Sequence, residues 1–246
     1  MSLYSYFRIS KPSAEKVPQE KVGTVYKSLR NRTFWGVTIA YSLYYVCRMS
    51  INVVKQPLID EGILSAGQLG LIGSALLFVY AIGKFMNGFI ADYCNARRFM
   101  ATGLLVSSAV NLLMGALGLL NGVNAVPAVL VFMLFAILWG VNGWAQSMGS
   151  PPGVICLSRW FPQSKRGTYY GPGVISLSRW FSRSKRGTYY SIFSSSPYIG
   201  EFISYNILAV VVAWLGWQAG FIVAALAGLA GAAIILLFVS DTPESK

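Results

Sequence analysis

Arg48 stands inside the apolar run YSLYYVCRMSINVV. Tyr41, Tyr44 and Tyr45 precede it by seven, four and three positions, and Asn52 and Lys55 follow it by four and seven. These spacings place all six residues on one helix face. A guanidinium offers a rigid fork of donors that matches phosphate or carboxylate oxygens two at a time. The chemistry this stripe supports is therefore binding of an anion. A second reading keeps Arg48 structural, neutralised by Glu201 or by backbone carbonyls. Lys84 lies in another apolar run, with Tyr80 and Asn87 on its face. It either adds positive potential to the same cavity or snorkels to the headgroups. Glu201 is the one acid embedded in an apolar run, with Ser194, Ser204 and Tyr205 on its face. A charge partner for Arg48 or Lys84, displaced by substrate, is its expected role; proton uptake is the other. Trp139, Asn142, Gly143 and Gln146 form one more stripe. It serves either as an interhelical hydrogen-bonding face or, through Asn142, as a substrate contact.

Other chemistries are excluded by what the chain lacks. It has no histidine, so histidine catalysis and histidine metal sites are absent. Cys47, Cys94 and Cys156 are odd in number and show no metal-ligand spacing. No nucleophile–base pair appears, and GVNGWAQSMG is Gly-rich but lies within an apolar run rather than in a nucleotide loop. The chain reads as a non-enzyme without metal or other cofactor.

The elements that position these residues follow from composition. The 246 residues are 55% hydrophobic and 11% charged, whereas soluble domains carry about 25% charged residues. Six apolar segments reach the roughly 20 residues that cross about 30 Å of hydrocarbon as a helix. They are predicted at 34–54, ending before Pro57, and at 66–91, 99–120, 126–149, 190–214 and 218–240. The fold class is an all-α membrane protein of six transmembrane helices. A full charge at that depth costs about 2.5–3.5 kcal/mol, which marks Arg48 as functional or paired. Net charge is +12, yet the basic residues crowd the N-terminal tail, the second–third and fourth–fifth connections and the C-terminus. Alternating spans put those regions on one side, which the positive-inside rule makes cytoplasmic. The charge therefore encodes topology, with both termini cytoplasmic, and not a nucleic-acid surface. Residues 1–33 form a basic cytoplasmic tail and 34–240 the bundle. Small residues at 224, 227, 228, 231 and 232 let the sixth helix approach its neighbours closely. Trp35, Trp214 and Trp217 read as interfacial anchors.

A duplication interrupts the pattern. PPGVICLSRWFPQSKRGTYY at 151–170 is followed by GPGVISLSRWFSRSKRGTYY at 171–190, identical at 16 of 20 positions. Copy one continues the fourth span and copy two leads into the fifth. As continuous helix the surplus would add about 30 Å and rotate the downstream helix face by about 200°. It is expected to loop out on the cytoplasmic face.

The connection GFIADYCNARR resembles the major facilitator signature through Gly88, Asp92, Arg97 and Arg98. An Asp and an Arg pair there can lock neighbouring helix ends. YSLYYVCR, AIGKFMNGFIAD, NARRFM, MGSPPG, RWF with KRG, and the closing SDTPES are similar to the organophosphate:phosphate antiporter family. That resemblance implies the N-terminal half of a twelve-helix fold, with 241–246 opening the central loop. It implies exchange of an organophosphate such as a sugar phosphate for inorganic phosphate across a bacterial cytoplasmic membrane. Arg48 matches the family's phosphate-binding arginine and Lys84 a supporting lysine. A C-terminal six-helix half, or a second copy, is the implied partner. A sugar-phosphate sensor and an inactive truncated half are the alternatives.

Overall fold

The computed structural model describes residues 3–10, 17–121, 127–159 and 186–242. Among them are α1 (Leu3–Phe7), α2 (Val22–Asp60), α3 (Ala66–Tyr93), α4 (Ala96–Asn121), α5 (Ala128–Ser147), α6 (Ser150–Arg159), α7 (Arg186–Ile203), α8 (Ala209–Leu215) and α9 (Trp217–Phe238). Six helical runs are long and apolar enough to cross a membrane. The loop expected from the duplicated segment lies outside the described residues.

The first spanning helix, α2, is longer than its hydropathy suggests. It begins twelve residues before Phe34 and runs through Pro57 to Asp60. Pro57 sits in the last turn, where a missing N–H removes a single bond, and its own carbonyl accepts from Glu61 N–H at 3.0 Å. Gly62 then turns the chain at φ +67°, a conformation open to glycine without steric cost. Ser65 opens α3 with a reciprocal capping box: its hydroxyl accepts from Gln68 N–H and the Gln68 side chain accepts from Ser65 N–H.

Helix α9 sits between α4 and α2, α3 pairs with α5, and α7 packs along α2. The small residues of α9 explain its place. A Cβ on Gly228 would collide with the Ser108 hydroxyl and come within 2.7 Å of Cys47 Sγ. Tight packing substitutes here for the hydrophobic drive that lipid removes. Buried polar groups tie the interior together. Asn111 donates to the Ser107 and Cys47 carbonyls and accepts from Ser50 at 2.6 Å. Trp217, expected at an interface, is buried, and its indole N–H reaches Glu61 at 2.8 Å. Trp35 and Trp214 are exposed. Helices α3 and α7 leave long apolar faces uncovered, with Phe78, Phe85 and Phe89 on one and Tyr198, Phe202 and Tyr205 on the other.

At the opposite end of the bundle from Glu61, the turn between α3 and α4 is held by groups the signature does not name. Asn95 caps α4 by accepting from Arg98 N–H, and its amide donates to Ser10. The buried Asp241 carboxylate accepts from Ala96 N–H at 3.0 Å and faces Ser10 N–H at 3.5 Å. A carboxylate at a helix N-terminus meets both unsatisfied donors and the positive end of the dipole. Asp241→Ala should therefore lower stability by about 1–2 kcal/mol. Thermal unfolding in detergent would register this as a lower midpoint; an unchanged midpoint would remove Asp241 from the account.

Candidate functional site

The stripe around Arg48 divides in two when α2 packs. Residues three and four apart share a face only to within about 60°. Ala40, Tyr44, Cys47 and Ile51 form the buried edge. Tyr41, Tyr45, Arg48 and Asn52 form the half-buried edge beside it. Tyr44 therefore does not share the open surface with Arg48. It is fully buried, and its hydroxyl donates to the Met100 carbonyl. Asn142 also lies elsewhere. It is fully buried between α4 and α5, where its oxygen accepts from Ser107 at 2.6 Å and Gln146 donates to the same hydroxyl at 2.8 Å. The fourth-span stripe is thus an interhelical hydrogen-bonding face. Asn142 Nδ2 finds no partner among the described residues.

On the open edge, aromatic rings position the charges. The Arg48 guanidinium lies 4.4 Å from the ring centre of Tyr80 and 5.6 Å from that of Tyr45. Lys84 Nζ lies 5.4 Å from the same Tyr80 ring and donates to its hydroxyl at 3.3 Å. Tyr41 packs edge-on to Tyr45 and stacks on Phe193 at 5.6 Å. One ring from α3 thus bridges cations from two different helices. Tyr80 was visible in sequence only as a neighbour of Lys84. Its contact with Arg48 depends on how α2 meets α3, which spacing within one helix does not encode.

Among the described residues neither Arg48 nor Lys84 has a carboxylate partner. Glu201 does not form the ion pair expected of it with either cation. Ring quadrupoles attract a cation without neutralising it. The guanidinium lies over the rings of Tyr80 and Tyr45, and it carries a fork of N–H donors. The arrangement leaves two positive charges and a fork of donors for an anion with several oxygens.

The signature loop also differs from expectation. Asp92 is exposed and forms no lock with Arg97 or Arg98. The buried face of α3 runs through Gly83, Asn87 and Ala91, and Asp92 lies a further 100° around the helix. Arg97 donates to the Leu236 carbonyl and Arg98 to the Tyr6 carbonyl at 2.7 Å. The turn is fastened to α9 and α1 through backbone carbonyls, and Gly88 sits half-buried beside it.

Residues 37–172 match the Major Facilitator Superfamily. The chain belongs to the major facilitator superfamily. This facilitator chain is 30% identical over 240 residues to the probable hexose phosphate transport protein of Chlamydia pneumoniae, a match covering 98% of the chain and 46% of that relative. It is 31% identical over 235 residues to the glycerol-3-phosphate transporter of Bacillus subtilis, covering 95% and 46%. It is 24% identical over 220 residues to the membrane sensor protein UhpC of Escherichia coli, covering 89% and 43%. The chain spans just under half the length of these relatives. The family and the six apolar helices make it an integral membrane protein, and two of these relatives are named for transport of phosphate esters.

Proposed function

We propose that this chain is the N-terminal six-helix half of an exchanger that moves an organophosphate against inorganic phosphate. The observation that carries the reading is the pair of cations, Arg48 and Lys84, seated on Tyr80 without a carboxylate partner among the described residues. Arg48 takes two oxygens of the phosphoryl group, and Lys84 supplies a second charge beside it. Tyr45 and Tyr80 hold the arginine, and Tyr41, packed against Tyr45, lines the approach. Phosphate and a phosphate monoester share the group this surface reads, so either one occupies it and exchange follows. The uncovered faces of α3 and α7 receive a C-terminal six-helix half or a second copy. Rocking of one half against the other opens the site to each side in turn. The chain binds and moves its ligand rather than transforming it.

The similarity to UhpC supports a second reading, a sensor that binds a sugar phosphate without moving it. Exchange separates the two. Vesicles loaded with inorganic phosphate and carrying the chain with its partner half should take up labelled hexose 6-phosphate, and uptake should stop when internal phosphate is omitted. Binding with no uptake in loaded vesicles favours the sensor.

The orientation belongs to the same proposal: both termini face the cytoplasm of a bacterial inner membrane. In a cysteine-free background, a single cysteine at position 124 should react with an impermeant reagent from outside, and one at position 13 should not. The reverse pattern would invert the topology.

A further inference from the structure

We infer that Glu201 is a specificity residue for the ester's alcohol portion, accepting hydrogen bonds from hydroxyls of a polyhydroxylated phosphate ester. This rests on the phosphate-binding reading above and adds the other end of the ligand to it. The placement comes from how α7 meets α2. Gly200 is pressed against α2: a Cβ there would strike the Ser42 carbonyl oxygen and come within 2.6 Å of Tyr45 Cβ. Tyr45 is the residue whose ring sits 5.6 Å from the Arg48 guanidinium. Long helical side chains lean toward the helix N-terminus, so the guanidinium lies at the depth of Tyr45, and Glu201 is one residue beyond the contact at that depth.

The direction of Glu201 follows from its neighbours. Ile203 leans to the α9 side, in a cluster with Leu43, Val46, Leu208 and Ala224. At 100° per residue, Glu201 lies on the opposite flank of Gly200 from Ile203. On α2, Leu43 and Val46 lie toward that same cluster, while Tyr41, Tyr45 and Arg48 lie on the other flank, toward Tyr80 of α3. Glu201 therefore borders the open edge between α7 and α3 that carries Arg48. A five-residue π turn, Ser204–Leu208, comes directly after α7. The wider turn returns Leu208 to the buried face.

The chemistry of the occupant follows from charge. A carboxylate that is half-buried in a membrane span and has no ion pair among the described residues needs donors. It repels the phosphoryl group, which goes to Arg48 and Lys84. The rest of a monoester is its alcohol. A carboxylate's two oxygens match two neighbouring hydroxyls, as carried by a sugar. Inorganic phosphate has no such portion and meets only the repulsion that every phosphoryl group meets from Glu201.

The test measures displacement of labelled inorganic phosphate from native-membrane particles carrying the full chain with the partners it retains. Competitors are phosphate, hexose 6-phosphate and an aminoalkyl phosphate. In Glu201→Ala, the advantage of hexose phosphate over phosphate should fall about tenfold, the loss expected for hydrogen bonds to a charged group. Affinity for phosphate itself should not fall, since only a repelling charge is removed from it. Glu201→Gln keeps acceptor capacity and should fall between. An unchanged hexose preference in Glu201→Ala overturns the inference, as does an equal loss for phosphate, which marks a structural role. Selective loss of the aminoalkyl ester instead assigns Glu201 to an ammonium and also overturns it. Wild-type particles that bind neither phosphate nor hexose phosphate would sink the phosphate-binding reading itself.

Discussion

Arg48→Lys should weaken binding of a phosphate ester by about tenfold to a hundredfold while leaving the fold intact. The substitution keeps the charge and removes the fork. Losing one charge-assisted hydrogen bond costs about 1.5–3 kcal/mol, and each 1.4 kcal/mol is a factor of ten. Lysine also replaces the delocalised guanidinium that lies over Tyr80 and Tyr45. A compact, strongly hydrated ammonium does not spread its charge in that way. Arg48 has no carboxylate partner among the described residues, so its replacement strands no buried acid there. The loss should therefore appear in binding and not in the unfolding midpoint. Equal affinity in wild type and Arg48→Lys would remove the arginine from the site.

Gly200→Ala should disturb stability and the site together. The added methyl meets the Ser42 carbonyl and Tyr45 Cβ, which are parts of a packed helix and not the free end of a long side chain. Forcing atoms into such an interface costs about 1–3 kcal/mol. Helix α7 has to move away from α2, taking Phe193 from its stack on Tyr41 and loosening the seat of Arg48. Thermal unfolding should show a lower midpoint, and ligand affinity should fall with it. Gly73→Ala serves as the control, because a Cβ there meets nothing within 4 Å. Equal behaviour of the two variants would deny the close contact between α2 and α7.

The sequence carried the six spans because hydrocarbon imposes both their length and their apolar character. It carried Arg48 and Lys84 for the same reason: a charge at that depth is conspicuous. The division of the arginine's stripe was not legible. Tyr44 and Tyr45 are adjacent, and both lie at helical spacing from Arg48. Which one faces the interior depends on α4 supplying the Met100 carbonyl to Tyr44. Asn142 shows a related limit, since a polar residue in a span suits an interhelical bond to Ser107 as well as a ligand. The signature loop was recognised by its residues, but its fastening was not. Asp241 is 145 positions from Ala96, and no local pattern announces that pairing. Tyr80 shows the same limit, because its role arises only where two helices meet.

Direct calorimetric comparison of hexose 6-phosphate with free hexose, on the purified full chain reconstituted in nanodiscs, bears most closely on the central claim. A phosphoryl group read by Arg48 and Lys84 predicts binding of the phosphorylated sugar, none of free hexose, and competition by inorganic phosphate. The same titration in Arg48→Lys should show the affinity collapse. Equal binding of hexose and hexose 6-phosphate, or binding of the phosphate ester indifferent to Arg48, would contradict the account.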